Sequence, residues 1–276
     1  MQFSAGSLEP FSRVRHTVFG VNNNPQVQFT SVEKVIEISH WGNVGVTESY
    51  KIVNKGPSLK GEFSRVTFGS KGYDIKNAFK GIDFDLPYEV WGLYYLDEVG
   101  NISTSKAFRD DSSDLVRVSL MPRFSLLGGW KSNWQLGYNI NTNGHLFHSG
   151  PSFHLRNIRL EYALERIHTE QFTVKVVLPE GVTNVRIRIG SREFSGEQLW
   201  ESRTEGYLDF NGRPTFTIPH YQGSTKDRDI EVSYDYSSNR VFQKPLILAL
   251  IVLGFLSFAI LLQRFKLEAF SVQKEE

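Results

Sequence analysis

Apolar and polar residues alternate with a period of two along much of this chain. The apolar members of four such stretches are Val116, Val118 and Leu120; Phe172, Val174, Val176 and Leu178; Val185, Ile187 and Ile189; and Ile230, Val232, Tyr234 and Tyr236. A period of two is typical of a strand with one buried face. Upstream, Val46, Glu48, Tyr50 and Ile52 share one face of a further predicted strand. Since turns rich in glycine, proline and asparagine separate the stretches, the pattern predicts a mainly β fold, an antiparallel β-sandwich.

One tight hairpin is predicted within this pattern. Asn211-Gly212 is a pair that favours a two-residue hairpin turn, and it lies between the apolar stretches 208–210 and 216–218. We therefore expect these two stretches to pair as neighbouring antiparallel strands.

The C-terminal part of the chain contains one long apolar run. Residues 245–262 carry no charge, and Ser257 is their only polar side chain. As a helix that rises 1.5 Å per residue, the run spans about 27 Å, near the thickness of an endoplasmic reticulum bilayer. We predict a single transmembrane α-helix with its ends at Pro245 and Leu262, because proline is favourable in the first helical turn.

The other segments are assigned from this helix and from the strand pattern. We expect residues 1–30 to be a lead-in or the remnant of an upstream domain, residues 31–240 a β-sandwich-rich region, and residues 263–276 a short tail. Residues 1–20 lack the apolar core of a signal peptide. Two interpretations stay open: a tail-anchored protein with its bulk in the cytosol, or an incomplete or alternative form whose upstream signal is absent.

Composition excludes several classes of function. The 31 Lys and Arg residues nearly balance the 30 Asp and Glu residues, giving a formal net charge of +1. Without a basic excess to pair with phosphates, nucleic acid is not an expected partner. The chain contains no cysteine, which excludes disulfides, thiol nucleophiles and thiolate zinc sites.

Two clusters of polar side chains are candidate metal sites. Three histidines lie close together in one segment: His145, His148 and His154. Three carboxylates lie together in another: Asp110, Asp111 and Asp114. The first segment is rich in glycine, asparagine and serine, which favours a polar loop over a zinc site, and the second lacks the ligand pattern of a calcium loop, which favours a solvated turn. The common catalytic motifs are also missing, so no catalytic, cofactor-binding or metal-binding residue is predicted.

One modification signal is present in the chain. Asn101-Ile102-Ser103 is a sequon for N-glycosylation, and it follows a turn-like surface stretch. If this part of the protein is lumenal, Asn101 is a candidate glycosylation site.

Several longer blocks resemble one protein family. Residues 121–139, MPRFSLLGGWKSNWQLGYN, resemble the signature PRFPLFGGWKTxYxxGYN of the ribophorin I family. Residues 35–48 (VIEISHWGNVGVTE), 94–105 (YYLDEVGNISTS) and 172–185 (FTVKVVLPEGVTNV) are similar to further segments of that family, in the same order. The motif residues to which we assign a structural role are His40, Trp41, Arg123, Gly128, Gly129, Trp130, Gly137 and Tyr138.

The glycine pair before Trp130 has two interpretations. Paired glycines permit a tight bend with positive φ, and Trp130 would then fill the edge of the sandwich. The alternative is an exposed Trp130 that docks a partner or a peptide. We favour the structural interpretation, both here and for His40 and Trp41.

The resemblance implies an accessory role in protein N-glycosylation. Ribophorin I is a non-catalytic subunit of the oligosaccharyltransferase complex, which transfers an oligosaccharide from dolichol pyrophosphate to asparagine in N-x-[ST] sequons. It implies a single-pass type I protein of the endoplasmic reticulum membrane, with its bulk lumenal and its C-terminus cytosolic. The expected partners are the other subunits and the membrane, with nascent polypeptide and the translocon as further candidates. No cofactor is expected on this chain, because the catalytic metal belongs to another subunit.

Two other classes of protein stay open at this point. One is a single-pass adhesion or receptor-like membrane protein built on a β-sandwich. The other is the tail-anchored protein with a cytosolic domain, in which Asn101 would never meet the glycosylation machinery.

Overall fold

The computed structural model describes residues 24–59, 61–70, 77–160, 163–164, 167–190, 192–195, 200–206, 208–218 and 229–272. Most of the predicted lead-in 1–30, up to residue 23, lies outside the described residues, as do the last residues of the tail, 273–276.

Strands form most of the described chain. In chain order they are β1 (Val27–Ser39), β2 (Asn43–Asn54), β3 (Ile82–Pro87), β4 (Trp91–Asp97), β5 (Gly100–Asn101), β6 (Lys106–Asp110), β7 (Leu115–Leu120), β8 (Lys131–Asn141), β9 (Leu146–Ser149), β10 (Ser152–Arg159), β11 (Phe172–Val177), β12 (Thr183–Ile189), β13 (Arg192–Ser195), β14 (Trp200–Thr204), β15 (Arg213–Ile218) and β16 (Asp229–Asp235). The helices are α1 (Arg65–Ser70) and α2 (Gln243–Val272), and a 3-10 turn, Ser238–Phe242, leads into α2.

The strands form three sheets. The largest has eight strands in the order β14-β15-β11-β1-β2-β8-β4-β5, the second has five in the order β13-β12-β16-β10-β9, and the third has three in the order β3-β7-β6. The predicted mainly β fold with one C-terminal helix is confirmed. The sheets are largely antiparallel, with one exception: β1 and β11 pair in parallel, from Val32–Phe172 to Glu37–Val177.

Period-two alternation explains most of these strands. In β7, Val116, Val118 and Leu120 are buried while Arg117 is exposed. In β12, Ile187 and Ile189 are buried between exposed arginines. Buried side chains from all three sheets join one hydrophobic cluster, so the sheets share a core of the kind that makes a layered β fold stable.

The predicted hairpin at Asn211-Gly212 is wrong. β15 pairs in antiparallel with β14 on one side and with β11 on the other, and the pairing with β14 closes at Thr204 and Arg213. The described residues between these two strands, 205–206 and 208–212, belong to a longer loop, in which Asp209 accepts a hydrogen bond from the backbone of Gly206. The apolar stretch 208–210 is therefore part of this loop, because its residues form the turn and do not lie in a sheet.

The histidine segment also differs from the prediction. Residues 146–149 and 152–159 form the hairpin of β9 and β10, with His148 opposite Phe153 and His154 opposite Phe147. Neighbouring residues of a strand point to opposite faces, so His148 and His154 lie on different faces of this sheet. The predicted polar loop is a strand pair, held because β10 also pairs with β16.

Helix α2 continues beyond both predicted ends, Pro245 and Leu262. It begins at Gln243 and ends at Val272, and the helical stretch Ser238–Arg264 is long and apolar enough to cross a membrane. Apart from the half-buried Ile247, its apolar side chains from Leu246 to Leu262 are exposed, as expected of a helix whose surroundings are lipid.

The start of α2 is fastened to the β region. Lys244 Nζ lies 2.6 Å from Asp209 Oδ1, a carboxylate with a side chain that is almost fully buried. The Arg240 side chain covers Gly181 so closely that a Cβ there would overlap it, and Val241 packs against the core.

We call the end of the large sheet that lies at the start of α2 the membrane-proximal end, and the opposite end the membrane-distal end. Trp41, in the β1–β2 turn, lines one small cavity of about 170 Å³ together with Gln243 and Lys244. Strands β2 and β8 pair from Asn43–Asn141 near this turn to Val53–Lys131. At about 3.4 Å per residue, the two ends are about 34 Å apart.

Candidate functional site

Arg123 holds a turn near the membrane-distal end. Its Nε donates to Asp97 Oδ2 at 2.7 Å and its Nη2 to Oδ1 at 2.9 Å, a two-pronged ion pair. The same Nη2 reaches the carbonyl oxygens of Gly100 and Asn101 at 3.2 and 3.3 Å. The hydrogen bond from Arg123 lowers the pKa of the Asp97 carboxyl to about 2. Two segments that carry the family resemblance, 94–105 and 121–139, are thus joined by one charged pair.

The sequon asparagine is at the end of this turn. Asn101 closes β5, opposite Leu96 of β4, and is exposed. Asp97 also accepts backbone hydrogen bonds from Val99 and Gly100, so the backbone before Asn101 is fixed. Glycosylation of Asn101 stays a prediction, and the geometry leaves its side chain accessible to an enzyme.

Gly128 lies where two backbones meet. A Cβ at this position would overlap the carbonyl group of Pro57 and come within 2.8 Å of the Gly56 carbonyl oxygen. Gly129 has φ of +83°, in the region that favours glycine. Its N–H donates to the Asn54 carbonyl at 2.7 Å, and the Asn54 N–H donates to the Trp130 carbonyl at 3.0 Å. The glycine pair thus lets this bend lie against the end of β2.

Trp130 is half-buried under two other aromatic rings. Phe63 packs edge-on at 5.0 Å between ring centroids and Phe124 at 6.1 Å. These two phenylalanines are themselves 40% and 50% exposed. Trp130 thus lies at the edge of the sheet, and its neighbours form an apolar surface at the membrane-distal end. Docking of a partner at Trp130 stays a prediction.

His40 belongs to an aromatic cluster at the opposite end. Its ring stacks on Tyr236 at 4.3 Å and meets Phe153 edge-on at 4.4 Å, while its Nε2 lies 3.1 Å from the Tyr234 hydroxyl. Burial lowers the pKa of His40 to about 4, and nearby His148 adds to this effect. The cluster fastens the β1–β2 turn to the five-stranded sheet. The adjacent Trp41 is 64% exposed.

Gly137 and Tyr138 act on opposite faces of β8. A Cβ on Gly137 would overlap the Tyr94 ring, whose hydroxyl lies 3.1 Å from Thr47 Oγ1. Tyr138 is buried close to Glu48, and burial together with that carboxylate raises its pKa well above the usual value.

Sequence reasoning missed a buried ion pair beside Tyr138. Lys34 Nζ lies 3.0 Å from Glu48 Oε1, and the two side chains are 2% and 0% exposed. Tyr50 OH donates to Glu48 Oε2, and the Ala163 N–H donates to the same oxygen at 2.8 Å. Glu48 shares a face with the apolar residues of its predicted strand. Because a carboxylate on a buried face requires a partner, this position was the signal in the sequence for a buried ion pair.

Two of the candidate metal ligands, His145 and Asp110, have other partners. His145 Nε2 lies 2.9 Å from Glu89 Oε1 and its Nδ1 3.2 Å from the Arg156 carbonyl. Asp110 is bound by Ser112 and pairs with Arg117 at 2.8 Å. Within the described ranges, no group of three or more histidine, aspartate or glutamate side chains is placed to hold a metal ion.

Comparison with known proteins assigns these segments to one family. A family model described as Ribophorin I matches residues 2–263. The chain belongs to the ribophorin I family. Its matched region includes all the motif residues, both ends of the large sheet and the first part of α2.

Curated relatives carry the name dolichyl-diphosphooligosaccharide–protein glycosyltransferase subunit 1. The chain is 33% identical to subunit 1 of Caenorhabditis elegans over 230 residues, 82% of this chain and 38% of that protein. It is 35% identical to subunit 1A of Arabidopsis thaliana over 233 residues, 83% of this chain and 37% of that protein. Subunit 1B of rice is 33% identical over 250 residues, 90% and 51% of the two chains. The chain thus spans between about a third and a half of these family members.

A solved structure is similar at a lower level. An M1 zinc metallopeptidase from Deinococcus radiodurans matches with a TM-score of 0.42 and 10% sequence identity, over 75% of this chain and 42% of that one. A similarity at this level supports no inference about this chain.

The contact of Gly128 with Pro57 generates a first prediction. Gly128→Ala should lower the free energy of unfolding by about 1–3 kcal/mol, because the added methyl group overlaps backbone that has no rotamer to change. Thermal unfolding of the purified chain in detergent measures this. Gly45→Ala is the matched control, since its Cβ would meet Asn139 Oδ1 at an ordinary 3.6 Å. Equal melting temperatures for the two variants would contradict the close approach.

The buried His40 generates a second prediction. Its pKa falls from the usual 6.5 to about 4 on folding, so the unfolded chain binds more protons between these values. The stability that His40 contributes is complete above pH 6.5 and is lost as the pH falls toward 4. His40→Phe should flatten the fall of melting temperature across this window, while the same change at exposed His168 should not. Parallel profiles for the wild type and His40→Phe would refute the assignment.

Proposed function

We propose that this chain serves as a non-catalytic accessory subunit of an oligosaccharyltransferase. Such a complex transfers a preassembled oligosaccharide from dolichol pyrophosphate to asparagine in N-x-[ST] sequons of nascent proteins. The observation that carries the proposal is the Ribophorin I match over residues 2–263, in a chain whose relatives are named as subunit 1 of the glycosyltransferase. On this proposal the chain supports assembly of the complex and presentation of the acceptor polypeptide.

The accessory role is supported by what the polar motif residues do. Arg123 is committed to Asp97 and to a turn, and Tyr138 lies buried beside a neutralised carboxylate. Each of these groups has a structural partner, so each contributes to the shape of the domain. The proposal assigns the catalytic groups and the catalytic metal to another subunit, and no cofactor to this chain.

The proposal also fixes a location and an orientation. The chain resides in the endoplasmic reticulum membrane, crosses it once through α2, and has its β region in the lumen and its C-terminus in the cytosol. The exposed apolar surface of α2 supports the anchor. The exposed turn at Asn101 and the membrane-distal aromatic surface around Trp130 then face the lumenal space in which acceptor proteins emerge.

Partners follow from the same reasoning. The other subunits of the complex and the membrane are the primary partners, and nascent polypeptide and the translocon are further ones. The half-exposed Phe63 and Phe124 beside Trp130 offer an apolar surface of the kind used between subunits.

Native purification tests the assignment to the complex. The tagged chain should be extracted from microsomes in mild detergent and its partners identified by mass spectrometry. We expect the catalytic and other oligosaccharyltransferase subunits in fixed proportion to the tagged chain. A folded, membrane-inserted chain recovered without them would overturn the proposal and favour a receptor-like membrane protein.

Glycosylation tests the orientation. If the β region is lumenal, the chain should show a glycosidase-sensitive mass shift that Asn101→Gln abolishes. Ser103→Thr, which keeps the sequon, is the matched control and should retain the shift. A chain that inserts and carries no glycan at Asn101, with or without the substitution, would favour the cytosolic, tail-anchored arrangement.

A further inference from the structure

A large cleft lies where the three sheets meet. Its volume is about 770 Å³, within the range of sites that bind ligands of several hundred daltons. It is bounded by β3 on one side, by the end of β10 on another, and by strands of the eight-stranded sheet beneath. We call it the β3 cleft.

The open edge of β3 forms one wall of the β3 cleft. All six residues of β3 line it, followed by Tyr88 and Glu89. Phe84 and Leu86 are buried on one face of the strand while Asp83 and Asp85 are exposed on the other. Only the edge of a strand presents residues of both faces to one space. In the described part of the chain, β3 pairs with β7 alone, so its other edge has no strand partner.

A second strand edge lies across the β3 cleft. The lining includes the consecutive residues Asn157, Ile158 and Arg159 of β10. β9 pairs with β10 only as far as Leu155, and Ile158 and Arg159 pair with β16 on one side while Asn157 lies in a bulge of that pairing. Among the described strands, none pairs with Ile158 and Arg159 on the other side. Two strand edges thus face one space, a gap of the kind that an added strand fills.

The floor of the β3 cleft is one face of the large sheet. Lys34, Val46, Tyr138 and Ile140 line it, and the pairings of β1, β2 and β8 place them on the same side. Glu48 neutralises Lys34 at 3.0 Å, so the floor carries no uncompensated charge from this pair. An apolar side chain of a bound segment would rest on Val46 and Ile140.

The rim is acidic. Asp83, Asp85 and Asp114 are exposed there, and Arg159 is the cationic side chain on the facing edge. Glu89 also lines the β3 cleft and faces His145 at 2.9 Å. The excess of carboxylates favours a ligand with basic side chains.

We propose that the β3 cleft binds an extended polypeptide segment, which adds as a strand to the free edge of β3 with apolar side chains on the floor and basic side chains at the rim. Strand addition derives its affinity from main-chain hydrogen bonds and its preference from alternate side chains. Every second residue of an edge strand turns its N–H and C=O away from its paired neighbour, so alternate residues of the six in β3 offer backbone groups along this wall; Pro87 has no N–H to offer.

This inference rests on the proposed function, which it deepens by giving the domain a polypeptide ligand. The two can fail separately. Peptide binding is measured on the chain alone, whereas membership of the complex is measured by co-purification.

Fluorescence anisotropy with a defined peptide tests the proposal. The full chain is placed in phosphatidylcholine nanodiscs, which carry no anionic lipid, and titrated against a short, end-capped, labelled peptide of alternating lysine and valine. We expect saturable binding that exceeds binding to empty nanodiscs. The same peptide with every second backbone nitrogen methylated on its pairing edge should bind about tenfold or more weakly, because it has lost its donors.

Charge variants locate the site. Asp83→Asn with Asp85→Asn should weaken binding of the unmethylated peptide about threefold or more at low salt. The matched control, Glu201→Gln with Glu205→Gln, removes the same charge from exposed positions outside the β3 cleft and should leave binding unchanged.

Three results would overturn the proposal. Equal binding of the methylated and unmethylated peptides would mean that the strand edge is not used. Equal weakening by the two charge pairs would mean a nonspecific charge effect. No binding to the full chain, with binding gained after removal of residues 1–23, would mean that the β3 cleft belongs to a segment of the chain itself.

Discussion

The buried ion pair between Lys34 and Glu48 is the constraint on which the β region depends. The two residues face each other on the central strands β1 and β2, and Glu48 also accepts from Tyr50 and from the Ala163 backbone. Removing one partner of such a pair costs about 3–5 kcal/mol, because the other charge stays buried. The carboxylate therefore fixes the register of β1 against β2 and the position of the segment after β10. Because Lys34 lines the floor of the β3 cleft, the ion pair also determines the geometry of that floor.

Most strands could be predicted from the sequence, because one-face burial leaves a period-two pattern that local residues carry. Partners could not. β11 follows β1 by more than a hundred residues and pairs with it in parallel, a choice made by packing across the core. The turn pair Asn211-Gly212 favoured a two-residue hairpin, but the stretch before it belongs to a loop in which Asp209 pairs with Lys244, and β15 pairs with the more distant β14.

The candidate site residues were also only partly predictable from the sequence. The family segments were visible as sequence, and the structure adds which residues of different segments meet, such as Arg123 with Asp97. The glycine pair at Gly128 indicated a bend, while the approaching Pro57 backbone could not be known from either segment alone. The β3 cleft was invisible to sequence, because an unpaired strand edge has the same residues as a paired one.

The attachment of α2 to the β region has a mechanical consequence. Arg240 over Gly181 and Lys244 on Asp209 fasten the start of the helix to the domain, so a tilt of the helix carries the domain with it as a lever arm. A transmembrane helix tilts by about 20° on average. Over the ~34 Å from the Asn43 end to the Val53 end of β2, that tilt sweeps the surface around Trp130 sideways by about 12 Å. Bilayer thickness, which influences the tilt, thereby becomes one determinant of the lateral position of this surface.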